Sequence, residues 1–271
     1  MNLSTIFNNY IQAGYSNANA ISKTCQDVIL FKISNSNMSK NITIKGGVAM
    51  MAISNDKRRA TQDLDIDFIR YSLKDSAIKA FIEKLNDNEI KIKILPPIKE
   101  LHHQDYDGRR VFVEITDNYN NSFSTKIDIG VHKDINIKQD ELCFDLGIES
   151  EDVILLANSK EQICCEKIKS LLKFGITSTR YKDIFDIYYL IETKNFDKKR
   201  FINYAQKIIF NDTVTDENSI QDIEKSLKDI FENRRFRSML DNAKNNWIEL
   251  PIEEVIGNII EFLSTLEMVE V

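Results

Sequence analysis

The sequence predicts an α/β (α+β) protein in two parts, a mixed α/β first half and an all-helical second half. Strand-like alternation of apolar and polar residues recurs between residues 42 and 131, whereas the segments after about residue 150 carry the spacing of amphipathic helices. With only 8 Gly and 3 Pro in 271 residues, long helices with few breaks are expected. We therefore predict one domain over residues 1–150 and a C-terminal helical domain over residues 151–271.

The charge balance limits the classes of function. The chain has 36 Lys and Arg against 42 Asp and Glu, which gives a net charge of −6 and a sequence pI near 5.3. A surface coated in positive charge for non-specific nucleic-acid binding is therefore disfavoured, whereas a local basic groove remains compatible with these numbers.

Cysteine usage and the N-terminal segment bear on the compartment. The 4 cysteines form no C-x-x-C pair, and Cys164 and Cys165 are adjacent in an apolar stretch, so we expect buried, reduced thiols. The first residues lack the basic and continuous apolar regions of a signal peptide, and no window approaches the ~18 apolar residues of a membrane span. We expect a cytoplasmic protein with no membrane contact.

Hydrophobic periodicity places elements along both halves of the chain. Helical spacing covers much of the first 40 residues and recurs over 75–86. Strands are predicted at 42–44, 63–70, 91–95, 109–116 and 122–131, with a hairpin loop at 117–121. In the second half, helices are predicted at 159–174, 181–193, 197–210, 219–233 and 251–268.

The segment DLDIDF concentrates acidic side chains on one face of a predicted strand. Asp63, Asp65 and Asp67 alternate with apolar residues, so the three carboxylates share a face. Like charges raise one another's pKa, and a buried strand would not accept them unpaired. Alone, the pattern is typical of a solvated strand face.

Two neighbouring features favour a metal and phosphate site instead. A short strand leads into Gly46-Gly47 at a predicted helix start, where backbone N–H groups can hold phosphate and glycine permits its close approach. Asp128 lies in KIDIG, a strand that could lie beside DLDIDF and bring a further carboxylate. These carboxylates are hard oxygen ligands for Mg²⁺, and one or two such ions would activate a hydroxyl and stabilise leaving pyrophosphate.

These segments resemble a known superfamily. KGGVAM followed by RRATQDLDIDF resembles the signature of the DNA polymerase β-like nucleotidyltransferases, a fold with a small mixed sheet. Its fuller form is similar to the AbiEii/AbiGii (MenT-like) toxins of abortive-infection and type IV toxin–antitoxin systems. The later segment EKIKSLLKFGITSTRYKDIFDIYYL resembles the helical-domain motif of that family, and the two blocks span roughly residues 42–190.

The resemblance implies roles for the residues that match its motifs. The implied metal ligands are Asp63, Asp65 and Asp128. The implied nucleotide-binding residues are Lys45, Gly46, Gly47, Arg59, Thr61, Lys167 and Asp183. The implied catalytic residues are Asp63, Asp65, Asp128, Lys167 and Asp186.

Several of these positions have alternative interpretations. Asp128 is either a metal ligand, the base for the attacking hydroxyl, or a surface strand residue. Lys167 either meets the triphosphate across a cleft or extends along the helix surface to water. Asp183 and Asp186 share a helix face; one is expected to meet Lys167 or the nucleotide and the other to brace the lobe. Asp67 is expected to be a solvated neighbour or a residue behind the ligands.

The remaining candidates are weaker. Arg59 and Arg180 could touch phosphate or brace the carboxylates, and Thr61 is equally consistent with a turn residue. The histidines at 102, 103 and 132 are expected to be loop or strand residues, because no Cys or carboxylate stands at zinc-site spacing around them. The aromatic side chains of Phe185, Tyr188 and Tyr189 are expected to pack mainly in the hydrophobic core. Basic residues are frequent at 160–182, 198–200 and 234–237. They are either solvated helix faces or, if several face one cleft, a groove that binds an RNA backbone.

The favoured function is a Mg²⁺-dependent nucleotidyltransferase toxin. By resemblance, it would transfer a nucleoside monophosphate from an NTP to an acceptor hydroxyl, with the tRNA 3′ end as the expected acceptor and a blocked translation as the result. A cognate antitoxin encoded nearby is implied. The alternatives are nucleotide transfer to a small molecule such as an aminoglycoside or to a protein hydroxyl, and a non-catalytic nucleotide-binding relative.

Overall fold

The computed structural model describes residues 1–101, 108–148, 152–241 and 245–266. The chain forms two compact units, Met1–Asn158 and Ser159–Val271. Each unit has its own core and is described by itself below. None of the helices in the described ranges is both long and apolar enough to cross a membrane.

The first unit combines helices with a mixed sheet. Its helices are α1 (Leu3–Gln12), α2 (Asn17–Ser34), α3 (Gly46–Ser54) and α4 (Asp75–Lys84). Its strands are β1 (Ile42–Lys45), β2 (Leu64–Phe68), β3 (Ile90–Leu101), β4 (Gly108–Asp117), β5 (Ser122–Val131), β6 (Asp140–Phe144) and β7 (Val153–Ala157).

These strands form one sheet in the order β3-β4-β5-β2-β1-β7-β6. The pairs β2–β5 and β1–β7 are parallel and the others are antiparallel, so the sheet is mixed, as predicted. One face is apolar, because alternate residues of the central strands, such as Leu64, Val113 and Ile129, have no solvent exposure. The residues between them point to the opposite face, where the candidate site lies.

The second unit is helical in its described residues. Its helices are α5 (Lys160–Phe174), α6 (Tyr181–Ile191), α7 (Lys198–Ala205), α8 (Ile220–Glu232), α9 (Arg234–Leu240) and α10 (Ile252–Leu266), and a π-helical turn, Gln206–Phe210, extends α7. Side-chain caps explain several helix starts: Ser159 and Ser219 accept hydrogen bonds from the N–H groups of Gln162 and Asp222. The core is built from fully buried residues such as Phe185.

The strands and helices predicted from periodicity are confirmed, with three omissions. The sequence did not predict β6, β7 or α9, which are short, and β3 continues beyond the predicted segment through the Pro96–Pro97 pair. Mixed polar and apolar residues in DELCF hide the period of β6, whose neighbour β7 fixes it by antiparallel pairing.

The prediction of buried thiols holds for three of the cysteines. Cys25, Cys164 and Cys165 are buried, and all four are free thiols. Burial raises the pKa of Cys25 to about 12, which keeps that thiol protonated and unreactive. The prediction is wrong for Cys143, which is exposed because it lies on the solvent side of β6.

The loop between β4 and β5 is organised by one carboxylate. Asp117 accepts hydrogen bonds from the backbone N–H groups of Tyr119 and Asn121, both at 2.9 Å, and from that of Leu3 at 2.8 Å. Burial alone would raise the pKa of Asp117, but the hydrogen bonds from Asn121, Leu3 and Tyr119 outweigh it and hold this pKa below its ordinary value. Asp117 therefore closes the hairpin and also holds the start of α1.

We expect Asp117→Asn to lower the free energy of unfolding by ~1–3 kcal/mol at pH 7, because buried N–H groups lose a charged acceptor. Since the folded-state pKa is depressed, this stabilisation is present above the ordinary Asp pKa and is lost as the pH falls through the folded value. Urea unfolding of the wild type and the variant between pH 7 and 3 measures the difference between their free energies of unfolding. This difference should decrease below about pH 4. The exposed Asp229→Asn is the control, and a difference independent of pH would contradict the assignment.

Candidate active site

The acidic strand β2 lies at the centre of the site. Its apolar residues Leu64, Ile66 and Phe68 are fully buried, which fixes the carboxylates on the opposite face. Asp67 on this face is buried, with only 4% of its surface exposed to solvent. Its Oδ1 lies 2.8 Å from the Nζ of Lys45. Of the two expectations for Asp67, the solvated neighbour is excluded, and a residue behind the ligands, paired with a lysine of β1, fits its burial.

The sheet register brings the two central carboxylates side by side. Asp65 is the Cα partner of Lys45 on β1 and of Asp128 on β5. In turn, Asp128 is the partner of Arg110 on β4, which is the partner of Lys99 on β3. The prediction that KIDIG lies beside DLDIDF is confirmed, and the partners form one row of charged residues across five strands.

The Gly46-Gly47 turn closes against β2. Gly46 has φ of +61°, and a Cβ at this position would lie 2.2 Å from Oδ2 of Asp65. A Cβ at Gly47 would lie 2.7 Å from Cβ of Thr61, the residue that precedes the acidic strand. Only glycine satisfies both requirements, so the Asp65 carboxylate lies against the N-terminal end of α3, where the helix dipole favours negative charge.

Two basic residues that sequence reasoning missed pair with two carboxylates of the site. Arg110 donates from Nε and from its terminal nitrogen to the two oxygens of Asp128, at 2.7 Å each. Lys126 Nζ lies 2.7 Å from Oδ1 of Asp63. Hydrogen bonding to Asp128 raises the pKa of Arg110 against the opposing effect of burial, and the charges of Asp63 and Asp65 add to the shift.

A signal for these two residues exists in the sequence. Arg110 lies on the same face of β4 as other polar residues of that strand. Lys126 lies two residues before Asp128 and therefore on the same face of β5. Without the register between strands, nothing in the sequence says which acid each cation meets.

A buried amide fixes the start of the acidic strand. Gln26 on α2 is 1% exposed and donates from Nε2 to the backbone carbonyls of Thr61 at 3.0 Å and Asp63 at 3.3 Å. Gln26 therefore anchors the segment that carries the metal-ligand candidates, a positioning role that the sequence did not predict. Arg59, predicted to touch phosphate or brace carboxylates, is 5% exposed.

The chemistry of these side chains suits a divalent cation. Asp65 and Asp128 present carboxylates from neighbouring strands, and oxygen ligands of this kind are what Mg²⁺ prefers. Within the ranges described, no group of three or more His, Cys, Asp or Glu residues is gathered closely enough to hold a metal ion. The contacts that are present show Asp63 and Asp128 each held by a protein cation instead.

The second unit holds a buried charge cluster of its own. Nζ of Lys167 on α5 lies 2.5 Å from Oδ1 of Asp183 and 2.8 Å from Oδ2 of Asp186, both on α6. Asp186 has no solvent exposure, and Trp247 donates to it from Nε1 at 3.0 Å. Lys167 is 8% exposed, so a lysine extended to water is excluded. Both acids meet the lysine, where the sequence left the choice between them open.

The other candidates are distributed as follows. Arg180, 61% exposed in its side chain, lies 3.9 Å from Asp183. His132 is buried and its Nε2 lies 2.8 Å from the carbonyl oxygen of Ile137, which confirms a strand-end residue; the histidines at 102 and 103 lie outside the described residues. Phe185 is core, as predicted, whereas Tyr189 packs at 5.4 Å against Trp247.

The predicted basic runs of the second unit divide into paired and exposed residues. Lys169 and Arg200 form ion pairs with Asp212 at 2.6 Å and Glu161 at 3.6 Å. Exposed members of these runs are Arg180, Lys198, Lys199, Arg234 and Arg235.

A glycine turn at a helix start, packed against a D-x-D segment with a third aspartate on a parallel neighbouring strand, is the arrangement that the resemblance to nucleotidyltransferases leads us to expect. The model of one family, described as nucleotidyl transferase AbiEii toxin, type IV TA system, matches residues 28–248. The chain therefore belongs to the AbiEii family of nucleotidyltransferase toxins, and the resemblance found in the sequence is confirmed. No curated protein matches the chain in a direct sequence comparison.

We expect Gly46→Ala to lower the free energy of unfolding by more than ~2 kcal/mol, because it combines left-handed backbone strain with displacement of the Asp65 carboxylate. Gly175→Ala is the matched control, since Gly175 also has positive φ but a Cβ there meets nothing within 4 Å. Backbone strain alone should cost that control ~1–3 kcal/mol, so Gly46→Ala should exceed it by the cost of displacing the Asp65 carboxylate. Urea unfolding measures both, and equal losses would show that Gly46 and Asp65 are not in close contact.

We expect Lys167→Met to lower the free energy of unfolding by ~3–5 kcal/mol, because it leaves two buried carboxylates without their cation. Lys169→Met on the same helix is the control; its partner Asp212 is partly exposed and its loss should cost at most ~1 kcal/mol. Trp247, the one tryptophan in the sequence, reports the transition by fluorescence because it contacts Asp186. Equal costs for the two variants would contradict the cluster's structural role.

Proposed function

We propose that this chain transfers a nucleoside monophosphate from an NTP to an acceptor hydroxyl and releases pyrophosphate. The observation that carries the proposal is the register of Asp65 with Asp128 on adjacent parallel strands, with the Asp65 carboxylate against the glycine turn. This arrangement sets acidic metal ligands beside a helix N-terminus suited to phosphate, which is what triphosphate chemistry requires. Family membership supports the same reaction class.

Each proposed role follows from the side chain's position. Asp63, Asp65 and Asp128 would hold Mg²⁺, which supplies charge neutralisation for the triphosphate when bound. Gly46 and Gly47 would admit a phosphate to the start of α3. Asp128 is equally suited to accept the proton of the attacking hydroxyl.

Further residues of the first unit have supporting roles. Lys45, which pairs with Asp67, would offer its ammonium near the phosphates. Thr61 and Arg59 precede the acidic strand and would shape the nucleotide pocket. Gln26 would hold this segment in place through its two backbone contacts.

In the second unit, we propose Lys167, Asp183 and Asp186 as functional residues. Three charged groups that are at most 8% exposed are costly to maintain, and a hydrophobic trio of similar volume is often at least as stable. Their retention in a motif of the family supports a role beyond folding, with Lys167 as the cation for the nucleotide.

We propose the tRNA 3′ end as the acceptor, in the cytoplasm, with blocked translation as the toxic result and a cognate antitoxin as the partner. The support is family membership together with exposed cations of the second unit, such as Lys199, Arg234 and Arg235, which can contact an RNA backbone. We also propose a role in abortive infection against phage, which the same membership supports.

Asp65→Asn is expected to reduce transfer on the order of a thousandfold or more, because the neutral amide is a weak ligand for a divalent cation. The assay incubates the purified full chain with total tRNA, Mg²⁺ and each of the four α-labelled NTPs, and separates labelled RNA, protein and small molecules. Asp229→Asn, an exposed change with the same chemistry, should transfer at the wild-type rate.

The pattern of labelling distinguishes the acceptors. Label on tRNA supports the proposal and identifies the nucleotide. Label only on protein or on a small molecule such as an aminoglycoside contradicts the tRNA acceptor and retains the reaction. Growth inhibition by Asp65→Asn equal to that of the wild type would contradict the enzymatic function.

A further inference from the structure

Arg110 is engaged with the third aspartate in a way that bears on metal binding. The two residues are directly opposite in the antiparallel β4–β5 pair, and the guanidinium meets both oxygens of Asp128 side-on at 2.7 Å. The Arg110 side chain is 31% exposed and that of Asp128 is 9% exposed. The more accessible partner of the pair is therefore the arginine.

The position of Asp128 makes this pair a competitor for a cation. Asp65 is the nearest register partner of Asp128 on the other side, so an ion shared by the two aspartates would sit beside the guanidinium. The side-on contact occupies the Asp128 lone pairs that face β4. The positive charge of the Arg110 guanidinium also repels a divalent ion at close range. An ion and Arg110 therefore cannot both be held fully by Asp128.

We infer that Arg110 and the divalent cation exchange at Asp128: Arg110 holds the carboxylate before the ion binds, and afterwards turns to a phosphate oxygen of the nucleotide. This inference rests on the proposed metal-dependent transfer. The guanidinium fork matches carboxylate and phosphate equally well, so the same donors serve both partners. Arg110 is thus a positioning residue for Asp128 and a phosphate ligand in turn.

The test measures Mn²⁺ binding to the full chain without nucleotide, by titration calorimetry or by the EPR signal of free Mn²⁺. We expect Arg110→Gln to bind Mn²⁺ about tenfold more tightly than the wild type, because a repelling charge and a competing donor are removed. A merely structural role for Arg110 predicts weaker binding instead. Arg109→Gln is the matched control, since Arg109 is adjacent on β4 but pairs with Glu100 at 3.0 Å, and it should leave the affinity unchanged.

A second measurement follows the other half of the exchange. With Mn²⁺ saturating, the affinity for a non-hydrolysable nucleoside triphosphate should fall about tenfold in Arg110→Gln, whichever base it carries, because a charged phosphate contact is lost. Arg110→Lys keeps the charge without the fork and should fall between the wild type and Arg110→Gln in both measurements. This variant also provides the test if Arg110→Gln does not fold.

The outcomes separate this inference from the proposed function. If the wild type binds Mn²⁺ and neither Arg110 variant binds it more tightly, the exchange is wrong and the metal site stands. If Arg110→Gln binds Mn²⁺ more tightly but keeps its nucleotide affinity, the phosphate half is wrong. If neither the wild type nor the Arg110 variants bind Mn²⁺ or transfer nucleotide, the proposed function itself fails.

Discussion

The site in the first unit depends on keeping carboxylates close together on the open face of a sheet. Asp65 and Asp128 are register partners; Asp63 lies just before β2, and Asp67 lies two residues after Asp65 on that strand. Ionised carboxylates at such spacing repel one another, and a protein can retain them only by supplying opposite charge or by protonating them. This chain supplies the charge from the neighbouring strands, through Lys45, Lys126 and Arg110.

The surrounding architecture serves that arrangement. The fully buried apolar residues of β2 and β5 prevent the strands from slipping, because a shift by one residue would turn every carboxylate into the core. Gln26 holds the entry to β2 through two backbone carbonyls, and Gly46 permits α3 to begin against the Asp65 carboxylate. The backbone positions of the acidic residues thus depend on groups that carry no charge, and the cations pair with the side chains placed there.

The sequence predicted the mixed sheet, the central helices and strands, and the aspartate pair across β2 and β5, because strict alternation and short motifs are local signals. What it could not predict depends on distant residues. The choice for Asp67 between a solvated neighbour and a residue behind the ligands stayed open because its partner Lys45 lies on another strand. Arg110 was missed because only the register assigns it to Asp128. Likewise, Trp247 donates a hydrogen bond to Asp186, which lies 61 residues earlier in the sequence. The weak strand β6 needs β7 to define it.

The same contacts reconcile a net charge of −6 with a polyanionic substrate. The acidic cluster comprises four carboxylates, and among the described residues at least three cations from nearby strands lie within ion-pair distance of it, so much of its charge is balanced locally. Adding one divalent ion to a nearly neutral cluster leaves an excess of positive charge, whereas adding it to four uncompensated carboxylates would not. Counter-charges that would weaken metal binding would therefore also make the loaded site attractive to a triphosphate. This trade accounts for Arg110 and Lys126, which the sequence did not predict, standing beside the predicted acids.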